Sequence, residues 1–215
     1  MSVRRSYAVA LAALAVLAAC SKDSTGPGGS GSSTDGSYYG VFGASNGSAS
    51  TGGTLAIVIT GSSATGTLTP QGGSGVSLTG TYGSGGGAVG LSGGGHTIAG
   101  VLNSGRISGT YTGPGGNGSF GTTRGDTPSA VTQFCGSYTG DSDGVWNLAR
   151  AGNSLTGAYA DDGGGSGILT GTLNGNAISI TVTGGTAAGT LSGSNVTGTW
   201  TAGADNGTWT GQTPC

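Results

Sequence analysis

The chain contains no glutamate, a single histidine, a single methionine and only three phenylalanines. Charged side chains make up 7% of it, and all eight acidic residues are aspartates. Two of its six basic residues, Arg4 and Arg5, fall in the first few positions; the rest of the chain carries four cations against eight aspartates, a net of −4. No basic patch can form from Lys22, Arg106, Arg124 and Arg150, so nucleic-acid binding through counterion release is excluded as an expectation. Helical periodicity is missing too. After residue 20 no stretch repeats apolar side chains at the 3.6-residue spacing of an amphipathic helix. Nor does any apolar run reach the about 20 residues that a membrane-spanning helix needs.

Glycine is abundant instead. It supplies 52 of 215 residues, against a usual share of about 7%. Such a load could signal disorder, but disordered chains are poor in β-branched and aromatic residues. Here Val, Ile, Thr, Tyr and Trp alternate in short runs, which is the signature of half-buried strands. Val196-Thr197-Gly198-Thr199-Trp200 shows the pattern: Val196, Gly198 and Trp200 share one face, and Thr197 and Thr199 the other.

The form apolar-x-Gly-x-apolar recurs with its glycine at 66, 80, 100 and 109, and again at 157, 171, 189 and 198. The offset is 91 for the first two pairs and 89 for the last two, so a two-residue deletion in one loop superposes the sets. Leu55 then matches Trp146, Leu68 matches Tyr159, Tyr111 matches Trp200 and Phe120 matches Trp209. Gly36-Ser37-Tyr38 is matched to Gly136-Ser137-Tyr138, with a longer first loop, Ala44 to Gly53, in copy 1. The chain is an internal duplication. We expect repeat 1 over 36–122, a linker over 123–134 and repeat 2 over 135–215.

Each repeat reads as about eight short strands joined by turns such as Asn174-Gly175-Asn176 and Gly184-Gly185. Joints this short make neighbouring strands antiparallel. An eight-strand meander removes its open edges by curling shut, so the expected fold is all-β: two tandem antiparallel up-and-down meander barrels. A pair of β-sandwiches built from the same strands is the alternative. Mid-strand glycines on the apolar face favour closure, because a side chain there would crowd a narrow interior.

Leu78-Thr79-Gly80-Thr81-Tyr82 and the eight-strand plan resemble avidin-type barrels. The order Gly-x-Tyr, Leu-Thr-Gly, Gly-Thr-Trp also resembles a class of bacterial surface β-domains. The first resemblance implies a barrel whose mouth can take a ligand; it assigns no binding residue.

Residues 1–19 join a basic start to an apolar run, Ala8 to Ala19, of signal-peptide form. The run ends Leu17-Ala18-Ala19-Cys20, which closely resembles the lipobox of bacterial lipoproteins. The resemblance implies cleavage before Cys20, lipid attachment at its sulfur and a membrane partner through that anchor. Ser21 in place of Asp leans towards the outer membrane of the cell envelope. Two or three acyl chains hold a protein stably, at about 0.8 kcal/mol per buried CH₂. Residues 20–35 form a flexible Gly/Ser tether with a reach of roughly 20–25 Å.

Only Cys135 and Cys215 remain, and they bracket the second repeat. First and last strands of a closed meander are neighbours, so we expect these two to pair as a disulfide outside the cytoplasm. Such a bond could contribute about 4 kcal/mol. Copy 1 has none and is expected to unfold first.

Few residues suggest chemistry. His96, after three glycines, reads as a turn residue. Asp161-Asp162 and Asp141-Ser142-Asp143-Gly144 read as solvated turns; the latter resembles the start of a calcium loop but lacks its third acid and terminal Glu. Arg124-Gly125-Asp126 resembles the integrin-recognition tripeptide and reads as spacer. Trp146, Trp200 and Trp209 are either core or a ligand-stacking platform. We therefore expect no catalytic residue, no cofactor and no metal. The expected protein is a monomeric, non-enzymatic envelope lipoprotein with a structural or adhesive role. The alternative is a binder of a small ligand or glycan at a barrel mouth, and a hydrolase is the remote third reading. A cavity lined by aromatics and a few polar groups would favour the binder; barrels plugged by their own side chains would favour the structural role.

Overall fold

The computed structural model describes residues 34–215. The leader, the lipobox with Cys20 and most of the tether lie outside the described residues. No helix among the described residues is long and apolar enough to cross a membrane.

An eight-stranded antiparallel meander closes on itself twice. The first barrel consists of β1 (Gly36–Ser45), β2 (Ser50–Thr60), β3 (Ser63–Pro70), β4 (Val76–Gly83), β5 (Ala88–Gly93), β6 (His96–Asn103), β7 (Arg106–Gly113) and β8 (Gly116–Arg124). The second consists of β9 (Thr132–Gly140), β10 (Gly144–Ala151), β11 (Ser154–Asp161), β12 (Ser166–Asn174), β13 (Ala177–Val182), β14 (Gly185–Ser192), β15 (Asn195–Ala202) and β16 (Asp205–Gln212). β8 pairs back onto β1, and β16 onto β9, so both sheets lose their edges and the sandwich alternative falls. Both closing strands reach into the segment expected as linker. Tyr38 pairs with Arg124 and Thr132 with Arg150, leaving 125–131 between the barrels with one 3₁₀ turn, Pro128–Ala130.

The ladders confirm the duplication from β2 and β10 onwards. Gly66 faces Leu78 as Gly157 faces Leu169, and Gly100 faces Gly109 as Gly189 faces Gly198. They correct it at the first strand. Phe120 pairs with Phe42 where Trp209 pairs with Tyr138, so Tyr138 is the counterpart of Phe42 and not of Tyr38. The Gly-Ser-Tyr identity is local; closure against the last strand decides the register. Much of the expected long loop of copy 1 is likewise strand, since β1 runs to Ser45 and β2 starts at Ser50.

Three of the mid-strand glycines, Gly100, Gly189 and Gly198, are seats for aromatic rings. A Cβ on Gly198 would lie 2.5 Å from Cε2 of Trp209, and one on Gly100 would lie 2.7 Å from Cζ of Phe120. Gly136 and Gly211 lie under Trp146 in the same way, and Gly207 under Trp200. A large ring covering a bare backbone fills a narrow lumen and lets the strands bend.

Four strands are buried on both faces. In β1, β8, β10 and β11 the inward residues join a barrel core, and the outward ones press one barrel against the other. The outward residues are small: a Cβ on Gly43 would lie 3.2 Å from the Tyr159 carbonyl carbon, and one on Gly121 2.9 Å from Thr156 Oγ1. Asn147, 2% exposed, donates from Nδ2 to the Phe42 carbonyl at 3.2 Å, and Gln133 Nε2 donates to the Gly40 carbonyl at 2.9 Å. Ser50 N donates to Asp162 Oδ1 at 3.0 Å across the same seam.

Candidate functional site

The two lumens differ. In the first barrel Phe42 stacks on Tyr111, ring centroids 4.7 Å apart, and both are buried with Ile98, Leu55 and Leu68. His96 closes that end. It is not a turn residue but the first residue of β6, buried, with Nδ1 sharing a 2.8 Å hydrogen bond with the Tyr111 hydroxyl.

The corresponding end of the second barrel is open. The strand ladders place Ala187 where the first barrel has Ile98, and Gly185 where it has His96. Two side chains shrink on one strand, and a cavity of about 200 Å³ results. Every strand of the barrel contributes to it. Trp146, Trp209, Leu169 and Ile180 are its buried floor. Tyr138, Tyr159 and Trp200 are half-buried walls, and Ser142, Asp161, Thr183 and Asp205 belong to the rim.

The rings stand nearly perpendicular to one another. Trp146 and Trp209 meet at 5.1 Å and 82°, Tyr138 and Trp200 at 5.9 Å and 81°, and Tyr138 and Tyr159 at 6.4 Å and 74°. Each indole N–H is spent on the backbone: Trp146 donates to the Ser137 and Thr210 carbonyls, each at 3.1 Å, Trp200 to Thr139 at 3.2 Å and Trp209 to Thr199 at 3.1 Å. The indoles are therefore held by their edges. Burial pushes the Tyr138 hydroxyl far above the ordinary tyrosine range; the Asp161 carboxylate adds to this and a hydrogen bond with Ser142 opposes it. Burial and then Asp161 raise Tyr159 as well.

All three tryptophans singled out in the sequence thus converge on one cavity, Trp146 and Trp209 as core and Trp200 as an accessible wall. Sequence reasoning missed Tyr138, Tyr159, Asp161 and the opening itself. Its signal was present in the internal alignment, as Ile98 against Ala187 and His96 against Gly185.

The remaining candidates are structural. Asp141 Oδ2 accepts from Asn206 N at 2.9 Å and Asn206 Nδ2 at 3.1 Å, and Asp143 Oδ1 accepts from Gly140 N at 3.3 Å, so both brace turns. Among the described residues no three His, Cys, Asp or Glu side chains assemble into a metal-holding group. Arg124 of the Arg-Gly-Asp stretch donates to the Asp35 carbonyl at 2.6 Å, and Gly125 N to Ser37 at 3.1 Å, which ties the tripeptide to β1.

Cys135 and Cys215 adjoin each other but are free thiols in the structure, without the expected disulfide. The Cys215 thiol hydrogen-bonds to Cys135, which holds Cys135 below the ordinary thiol range and pushes Cys215 above it. Strand closure brings them together as the first and last strands of a barrel must, since Cys135 pairs with Gln212.

These features define a closed β-barrel pair with one filled lumen and one open, aromatic-lined mouth. No protein family, curated protein or solved structure matches the chain. The resemblance to avidin-type barrels therefore rests on the strand plan and the Leu78–Tyr82 stretch alone.

Proposed function

We propose that the protein is a lipid-anchored lipoprotein of the bacterial cell envelope, held at the outer membrane through Cys20, whose second barrel binds a small ligand in its mouth. The observation that carries the binding role is the contrast between the copies: one lumen is filled by its own side chains, and the other keeps about 200 Å³ open among five aromatic rings. Ligand pockets usually measure about 300–1,000 Å³, so the occupant is small. Nothing in the fold demands this opening, because the first barrel closes with Ile98 and His96 in the same topology. The role is one of binding and not of catalysis. The filled first barrel suits the structural part, carrying the second away from the tether.

The paired thiols complete the reading. In an oxidising envelope the Cys135 thiolate attacks the disulfide of an external oxidant, breaking its S–S bond, forming a mixed disulfide and releasing one oxidant sulfur as a thiol. The Cys215 thiol then gives up its proton and displaces the second oxidant sulfur, so the 135–215 bond closes and the oxidant leaves reduced to the dithiol level. A thermal-shift screen of small molecules and oligosaccharides against the mature chain tests the binding role. Stabilisation by a small ligand, abolished in Trp200→Ala, is expected. Equal shifts in the wild type and Trp200→Ala would refute it.

A further inference from the structure

We propose that the ligand taken by the second barrel is a small organic cation of the methylated or quaternary ammonium type. This rests on the binding role proposed for the same mouth and specifies its chemistry.

Three observations converge. The first is the set of ring faces. Tyr138, Tyr159 and Trp200 form walls at steep angles over a floor of Trp146 and Trp209. The faces of aromatic rings are negative, and several faces around one small volume attract a cation that sheds its water easily. A primary ammonium is strongly hydrated and wants three acceptors. The methylated ammonium wants apolar walls and diffuse negative charge, which this lining offers.

The second is the lack of cationic donors. The indole N–H groups are already spent on strand carbonyls. No Lys, Arg or His lines the cavity. An anion would find hydroxyls of Ser, Thr and Tyr but no positive charge to set against Asp161 and Asp205.

The third is the distribution of charge. Asp161 and Asp205 line the cavity, and Asp161 is fixed by accepting from Gly165 N at 2.7 Å. Asp141, Asp143 and Asp162 lie on the turns at the same end. Over 132–215 the sole cation is Arg150, at the far end of β10, where it donates to the Gly152 carbonyl at 2.7 Å. The acids of the barrel gather at its mouth, and its one cation lies at the other end. The first barrel keeps three of the five rings, as Phe42, Tyr111 and Phe120, but neither acid: its ladders put Leu55, Leu68, Pro70 and Gly116 where the second has Trp146, Tyr159, Asp161 and Asp205. Trp146, Tyr159 and both acids belong to the open copy alone.

Choline and its uncharged carbon isostere 3,3-dimethylbutan-1-ol test the inference, with acetate as the anionic control. All three tryptophans of the chain line the cavity, so tryptophan fluorescence, excited where tyrosine does not absorb, reports on this site alone. Choline should give a saturable change at concentrations about ten-fold below those of the isostere, and acetate none. In Asp161→Asn/Asp205→Asn, with the fold checked by circular dichroism, choline should weaken several-fold while the isostere is unmoved. Equal binding of choline and the isostere overturns the cation inference and leaves the binding role standing, as does unchanged choline affinity in the double variant. If no probe or screened compound gives a saturable change, both fall.

Discussion

Gly198 shows how much a single missing side chain does in this protein. It lies beneath Trp209, and a methyl group there would meet Cε2 at 2.5 Å and Nε1 at 2.6 Å. Overpacking of a tight site costs typically 1–3 kcal/mol, so Gly198→Ala should lower stability by about 2 kcal/mol, measured by urea unfolding. An unchanged midpoint would contradict the close cover of Gly198 by the Ala188 carbonyl and the Trp209 ring. The buried tyrosines make a second prediction. Tyr38, Tyr111, Tyr138 and Tyr159 are all raised above the ordinary value of 10.0, with burial as the leading cause. Once the pH passes that value, the unfolded chain loses tyrosine protons that the folded chain keeps, and stability falls as pH rises. Below it the contribution is complete. The melting temperature should therefore drop above about pH 10, less steeply in Tyr138→Phe. A flat alkaline profile would contradict the burial of these hydroxyls.

At the level of strands, the apolar-x-Gly-x-apolar form already carries most of the fold. It marks which face turns inward, and the short joints leave antiparallel neighbours as the sole arrangement. Closure follows from the need to hide two edges. The first strand was misaligned because Gly36-Ser37-Tyr38 and Gly136-Ser137-Tyr138 are identical locally, whereas Phe42 and Tyr138 share a place set by pairing across the whole barrel. The cavity was half legible. The three tryptophans stood out, but whether rings fill a lumen or line a space depends on the strand opposite, where Ala187 replaces Ile98. The disulfide was legible as proximity. The structure holds the reduced pair, with Cys135 as the more acidic thiol. In mature protein purified without reductant and then denatured, a thiol assay should find neither cysteine free; two free thiols per chain would rule out the bond.

For the whole molecule, the seam between the barrels matters most, and nothing in the sequence pointed to it. Apart from Tyr39, the outward residues of β1, β8, β10 and β11 are Val, Gly, Ala, Ser, Thr and Asn, which read as an ordinary solvent face. Small side chains let the two sheets approach almost to backbone contact, and Asn147 reaches across to Phe42. We expect the barrels to melt in one transition, in place of the early loss of copy 1 that the lone cysteine pair suggests. Gly121→Val, which would push on Thr156 and Gly157 across the seam, should split that transition in calorimetry. A single unshifted peak in the variant would show that the seam contributes nothing.

The same comparison of copies gives the decisive test of the open barrel. Ala187→Ile restores at the mouth the side chain with which the first barrel is plugged. Wild type and variant can be titrated side by side with the best ligand from the screen, following tryptophan fluorescence. The wild type should respond and saturate; the variant should keep its strand content, melt no lower and show no response. An equal response from both would mean that the space beside Ala187 is not where the ligand goes.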